Sequence, residues 1–350
     1  MGFSIETKCV QSGYTPKNGE PRVVPIVQST TYKYESSEQM GRLFDLQESG
    51  YFYTRLQNPT NDCVAAKIAD LEGGVGAMLT SSGQAASFFS VFNICSAGDH
   101  VVAASAIYGG TFNLFNVTMK KLGIDFTFVR PDATEEELNA AFKENTKAVF
   151  AETISNPSLV VLDIEKYARA AHAHGVPLIV DNTFPTPINC RPFEFGADIV
   201  THSTTKYLDG HATSVGGVIV DSGNFDWTQN DKFPGLTTPD ESYHGVIYND
   251  FFGGADEVVI DVEGRRIFAC HGHRYGVKSG TERLVAAAKA KLCDIALYGH
   301  THEAETREEN GVLLINPGCM TRYSYKKSYC YLVVEKTKAV ATLVEIPERG

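Results

Sequence analysis

The sequence predicts an α/β protein: an open, mostly parallel sheet flanked by helices, then a second, shorter α/β segment beginning near residue 249. Three observations predict it. Short apolar runs recur along the first 220 residues, as expected of strands buried on both faces. Capped helical patterns lie between those runs. Polar residues cluster just past the carboxyl ends of the runs, where such sheets bind ligands.

Taken in order, Ser81-Ser82-Gly83-Gln84 follows an apolar run and opens a helical pattern. Thr134 to Phe142 begins with a capping-box spacing, Thr134 to Glu137. Ala148 to Ala151 reads as a strand that delivers Glu152. Ile164 to His174 reads as a helix that Gly175 terminates. Pro177 to Val180 delivers Asp181-Asn182-Thr183, and Asp198 to Val200 leads to Lys206. Gly217 to Val220 reads as one more strand of the same parallel kind. In the second segment, Glu257 to Val262 and Arg265 to Cys270 read as a hairpin around Glu263-Gly264. Thr281 to Leu292 has a helical pattern; Ile295 to Tyr298, Val312 to Ile315, Tyr331 to Val334 and Ala339 to Ile346 read as strands.

Composition narrows the function classes. The eight cysteines form no C-x-x-C pair, and the start at Met1 to Lys8 has no basic stretch leading into an apolar run. No apolar stretch has the length to span a membrane. A cytoplasmic protein with reduced thiols is expected. Residues 250–350 carry 14 Lys/Arg and 14 Asp/Glu, so the net charge of −11 belongs entirely to residues 1–249. No basic patch interleaved with aromatics is present, which argues against nucleic acid.

The polar residues at the strand ends point to chemistry. Lys206 sits among hydroxyls in Ser203-Thr204-Thr205-Lys206, a setting that can hold an aldehyde cofactor as an imine. Asp181 can pair with a ring nitrogen. The helix start at Ser82-Gly83-Gln84 offers backbone N–H groups and a helix dipole to a phosphate. In this order the three describe pyridoxal 5'-phosphate (PLP).

Residues 1–248 resemble the Cys/Met-metabolism family of PLP enzymes, and within it the O-acetylhomoserine sulfhydrylase branch. The resemblance runs through Tyr53-Thr54-Arg55, Asn58-Pro59-Thr60, Ser81 to Gln84, Tyr108-Gly109-Gly110-Thr111, Asn156-Pro157, Asp181 to Thr183, Ser203 to Lys206 and Phe233 to His244. It implies the large domain of PLP fold-type I, a mostly parallel seven-stranded sheet with helices on both faces. It also implies roles. Lys206 would hold the cofactor and shuttle protons, Asp181 would hold the pyridine nitrogen, and Tyr108 would stack on the ring. Gly83, Gln84, Ser203 and Thr205 would bind the phosphate. Asn156 and Thr183 would lie beside the ring. Tyr53 and Arg55 would reach a neighbouring subunit's phosphate, so a homo-oligomer is implied. The implied reaction is γ-replacement on O-acetylhomoserine, a small amino-acid substrate, by sulfide or a thiol. In that family a smaller domain follows and supplies an Arg for the substrate carboxylate. No counterpart follows residue 248, so impaired turnover is expected.

Residues 249–350 resemble instead the C-terminal half of small calcineurin-like metallophosphoesterases, a partial α/β sandwich. The motifs are Asn249-Asp250, His271-Gly272-His273, Gly299-His300-Thr301-His302 and Asn316-Pro317-Gly318. The resemblance implies Asn249, His271, His300 and His302 as ligands of a divalent transition metal such as Mn, Fe, Zn or Ni. The ligands that the family's N-terminal half supplies have no equivalent before Asn249, so phosphodiesterase activity is not expected. Asp209-Gly210-His211 has a ligand-like spacing but belongs to the Lys206 motif. The chain thus reads as a chimera of two truncated enzymes meeting near residue 249.

Overall fold

Most strands of the main sheet are short apolar runs, followed at the carboxyl end by polar residues. The structure, a computed structural model, describes residues 3–45, 48, 50–252, 258–270, 272, 275, 277, 280–299, 301, 303–319 and 327–346. The chain divides into two units between Pro234 and Gly235.

The first unit is built on β1 (Gly76–Thr80), β2 (His100–Ala104), β3 (Asp125–Val129), β4 (Thr146–Glu152), β5 (Leu178–Asp181), β6 (Ile199–Ser203) and β7 (Gly217–Asp221). They form one seven-stranded sheet in the order β1-β7-β6-β5-β4-β2-β3. Its helices are α1 (Ile5–Gln11), α2 (Ser37–Phe44), α3 (Pro59–Glu72), α4 (Gly83–Phe92), α5 (Gly109–Asn113), α6 (Glu135–Ala140), α7 (Ile164–Ala173) and α8 (Thr186–Asn189). The fold class is as the sequence predicts: mixed α/β with a large, mostly parallel sheet.

Local chemistry explains the helix starts. Ser82 caps α4 by accepting from Ala85 N–H, and Thr134 and Glu137 complete the capping box of α6. Asp163 caps α7, and Gly175 follows its end at φ 65°. The helix predicted over 134–142 is shorter, because the N–H groups of Ala141 and Phe142 turn back to Leu138 and Asn139.

One expectation is corrected. β7 is not a parallel strand: it pairs antiparallel with both β6 and β1. The chain from Ser203 to Gly217 returns through a loop with no helix to carry it across the sheet, so the next strand must run the other way.

The second unit holds a five-stranded sheet of β8 (Val258–Val262), β9 (Arg265–Ala269), β10 (Ile295–Leu297), β11 (Glu305–Glu309) and β12 (Val312–Asn316), in the order β11-β12-β10-β9-β8. A separate hairpin of β13 (Lys327–Val334) and β14 (Ala339–Ile346) packs Cys330, Leu332, Val334, Ala339 and Ala341 around Ile267, Ile295 and Ile315. The helices are α9 (Pro234–Thr237), which spans the division, α10 (Tyr248–Phe252) and α11 (Glu282–Ala290). The β8–β9 turn falls at Glu263-Gly264, both at positive φ, as predicted. The strand over Glu305–Glu309 was not predicted: Glu-Thr-Arg-Glu-Glu has no apolar alternation, and it serves as a charged edge strand.

Candidate cofactor site

The candidate site lies at the carboxyl ends of β4, β5 and β6. β5 ends in Asp181, which is buried. Thr183 folds back on it, donating its N–H (3.0 Å) and hydroxyl (2.5 Å) to Asp181 Oδ1. The Thr183 hydroxyl in turn accepts the N–H of Ser203 at 2.9 Å, which ties the end of β5 to the end of β6. Burial raises the Asp181 carboxyl above its ordinary range, against the hydrogen bonds from Thr183 and the nearby His202.

Lys206 stands on the turn after β6, exposed, three residues beyond Ser203. The turn is stapled twice. Thr205 Oγ1 accepts from Gly216 N–H at 3.1 Å, and Asp209 accepts from Thr213 N–H at 2.9 Å and His211 N–H at 3.3 Å. Asp209 is therefore occupied as a loop staple.

Gly83 explains how α4 reaches this site. A Cβ there would fall 2.7 Å from Ser203 Cα and nearer still to Ser203 Cβ. Only glycine lets the first turn of α4 lie against Ser203, with its free N–H groups at the same place as the Lys206 turn. Gln84 is exposed beside it and donates to Gly110 O at 3.0 Å. That bond joins α4 to the start of α5, where Tyr108 is half exposed. The Tyr108 ring lies over Gly110, whose Cβ would come 2.5 Å from ring atom Cε1.

Glu152, at the end of β4, was noted in the sequence only by its position and given no role. It is buried and accepts the backbone N–H of Tyr108 at 2.7 Å and that of Asn156. It thereby holds the stacking candidate Tyr108 and the candidate Asn156 to one carboxylate. Burial first, and the charge of Asp181 second, push its carboxyl up to about 8. Asn156 precedes Pro157 through a cis peptide bond.

Seven predicted residues, Gly83, Gln84, Tyr108, Asn156, Asp181, Thr183 and Ser203, are thus linked by contacts, with Thr205 and Lys206 on the adjoining turn. Tyr53 and Arg55 form their own pair, the guanidinium 5.0 Å from the ring centroid. Among the described residues, no hydrogen bond or ion pair joins that pair to the Lys206 region.

The donor set fits PLP. A cradle that a Cβ would fill, a hydroxyl-bearing turn carrying an exposed amine and a buried carboxylate meet at one end of the sheet.

In the second unit, Asn249 is buried on α10. His271, His300 and His302 lie outside the described residues. Asn316 is fully buried and donates to Gly299 O (3.2 Å) and Thr301 Oγ1 (2.8 Å), the residues either side of position 300. Among the described residues, no group of three or more His, Cys, Asp or Glu could hold a metal ion. No helix among them is long and apolar enough to cross a membrane.

A family model described as Calcineurin-like phosphoesterase superfamily domain matches residues 197–339. Homocysteine/cysteine synthase of Kluyveromyces lactis is 48% identical over 237 residues, covering 67% of this chain and 53% of that protein. O-acetyl-L-homoserine sulfhydrylase of Leptospira meyeri is 46% identical over 252 residues, covering 72% of this chain and 57% of its own. The chain therefore spans little more than half the length of the curated relatives it matches. Among solved structures, an O-acetylhomoserine (thiol)-lyase from Campylobacter jejuni, which contains N'-pyridoxyl-lysine-5'-monophosphate, is similar with a TM-score of 0.68 and 37% identity. That similarity covers 71% of this chain and 61% of the other. A second family model, described as Cys/Met metabolism PLP-dependent enzyme, matches residues 6–246, so the chain belongs to the Cys/Met metabolism family of PLP-dependent enzymes.

Proposed function

We propose that the first unit binds PLP through Lys206 and acts on O-acetylhomoserine in γ-replacement by sulfide or a thiol, with reduced turnover. The observation that carries this reading is the meeting of the Lys206 turn, buried Asp181 and the Gly83 cradle at the carboxyl ends of β5 and β6. The names of the relatives supply the substrate class.

In this reading the first turn of α4, with Gly83, Gln84, Ser203 and Thr205, holds the phosphate. Asp181 would hold the ring nitrogen, and Tyr108, Asn156 and Thr183 would contact the ring. When bound, the cofactor supplies an electron sink for charge that develops on the substrate's carbon. The amine of Lys206 would move protons between substrate carbons. Tyr53 and Arg55 serve the phosphate of a second copy, which makes a homo-oligomer part of the reading. The reduced turnover is part of the proposal, supported by the family match ending at residue 246. Were a carboxylate-orienting Arg lacking, the substrate would be held less well, and misplacement of this kind costs on the order of 10²-fold in rate.

We propose further that a segment of separate origin begins near residue 249 and represents part of a phosphoesterase domain; the calcineurin-like match supports the domain class, while its own span, residues 197–339, begins earlier and overlaps the first family's match.

Borohydride reduction of PLP-treated protein followed by peptide mapping tests the main reading. The pyridoxyl adduct is expected on Lys206 and lost in Lys206→Ala. An adduct on another lysine, or none, would refute it.

A further inference from the structure

Behind the cofactor residues, on the α3 face of the sheet, lies a buried polar network to which neither the family resemblance nor the proposed chemistry assigns a part. Side chains alternate across a strand, so Thr201 and Ser203 face one way while Val200 and His202 face the other. Val200 packs with Ile68 and Ala69 of α3, which identifies the His202 side as the α3 face. There His202 Nε2 and Glu72 Oε1, at the last residue of α3, stand 2.5 Å apart, both side chains fully buried. Glu72 Oε1 also accepts from Asn182 Nδ2 at 3.0 Å. Asn182 Nδ2 donates as well to Cys190 O at 2.8 Å, and Asn182 Oδ1 accepts from the Thr153 hydroxyl at 3.0 Å.

The network therefore ties the end of α3 to the residues that close β4, β5 and β6. Three of its members are adjacent in sequence to a cofactor-side residue. Thr153 follows Glu152, Asn182 lies between Asp181 and Thr183, and His202 precedes Ser203. Among the described residues, Glu72 Oε2 and His202 Nδ1 have no hydrogen-bond partner, so Glu72 is the one side-chain anchor of His202 there.

We infer that Glu72, His202 and Asn182 are positioning residues, which hold Asp181, Thr183 and Ser203 in their cofactor-side arrangement by locking the same strand ends from the opposite face. Hydrogen bonds between buried side chains lock the rotamers they join, and a side chain fixed at one residue restricts its neighbours through the shared backbone. The inference rests on the reading that Lys206 carries PLP.

The sheet contains its own control. His100 is equally buried and is held between Thr146 Oγ1 (2.9 Å) and Thr127 Oγ1 (2.8 Å), but it opens β2 at the amino ends of the strands. A general loss of stability should act alike through both sites.

The test compares Glu72→Gln, His202→Gln and, as the stability-matched control, His100→Asn in the full chain. Amide hydrogen exchange at Thr183 and Ser203 is measured without cofactor, and PLP affinity and the visible absorption of bound PLP are measured separately. Glu72→Gln and His202→Gln are expected to speed exchange at those two amides by about tenfold or more. They should weaken PLP binding by a similar factor and shift the absorption maximum. His100→Asn, at equal loss of Tm, should do none of these. Equal exchange in all three variants, or exchange unchanged by Glu72→Gln and His202→Gln, would overturn the inference. Failure of the functional reading shows separately, as unsubstituted protein that takes up no PLP on Lys206. The exchange comparison, made without cofactor, decides the network's role in that case too.

Discussion

Glu152 and Asp181 occupy paired positions on adjacent parallel strands, so two buried carboxylates stand side by side at the carboxyl ends of β4 and β5. Two such charges cannot both be held comfortably away from water, and both groups are shifted toward the neutral form. Glu152 meanwhile accepts two backbone N–H groups, so it stays in place when neutral.

This pairing makes a pH-dependent prediction. The Glu152 carboxyl moves from an ordinary 4.5 to about 8. Between those values the folded chain keeps a proton that the unfolded chain has released. The stability contributed is full below the ordinary value and is lost as pH rises toward about 8. Glu152→Gln stays neutral and can still accept from Tyr108 N–H. Its unfolding free energy should fall less steeply between pH 5 and 8, by up to about 1.4 kcal/mol per pH unit. Urea unfolding across that range measures it; an unchanged slope would assign the titration elsewhere.

Gly83→Ala should damage cofactor retention and stability together. The new methyl meets the Ser203 backbone, which the Thr183 bond holds in place and which cannot yield cheaply. Overpacking of this kind costs about 1–3 kcal/mol. Thermal unfolding should show that loss, and equilibrium dialysis should show PLP binding weakened well beyond tenfold. Wild-type affinity in this variant would show that α4 does not abut the phosphate.

Asn316→Ala should destabilise the second unit alone. The amide makes three bonds, to Gly299 O, Thr301 Oγ1 and the N–H of Gly318, and it is fully buried. Its removal leaves buried groups unpaired, at about 2–4 kcal/mol. Exchange protection near Gly299 should fall, while the first unit's unfolding stays where it was.

Phosphodiesterase activity should be negligible. The ligands proposed for the metal, Asn249, His271, His300 and His302, are all neutral, and neutral ligands without a bridging carboxylate offset two divalent charges poorly. Hydrolysis of a bis-aryl phosphate with Mn is the assay. Robust turnover that His300→Ala abolishes would prove the opposite.

Much of the site was legible because its signals are local. The order Ser82-Gly83-Gln84, then Asp181, then Ser203 to Lys206 places each group at a strand end that apolar runs alone reveal. The capping box of α6 and the glycine that ends α7 read directly from the sequence. The Glu305–Glu309 strand was illegible for the converse reason: as a charged edge it buries no apolar face, so no period of two marks it.

The sequence by itself determined the alternation of strands and helices and the cofactor class, and it supplied the residues proposed to meet the cofactor, since all of these follow from side-chain chemistry at fixed positions along the chain. Only the tertiary structure decided the antiparallel sense of β7, the sharing of one sheet face by Glu152 and Asp181, and the contact between Glu72 and His202, which are 130 residues apart. These are pairings between distant segments. A lone buried Glu or His carries no mark of its partner, and the partner is chosen when helix α3 packs its last turn against the ends of β5 and β6.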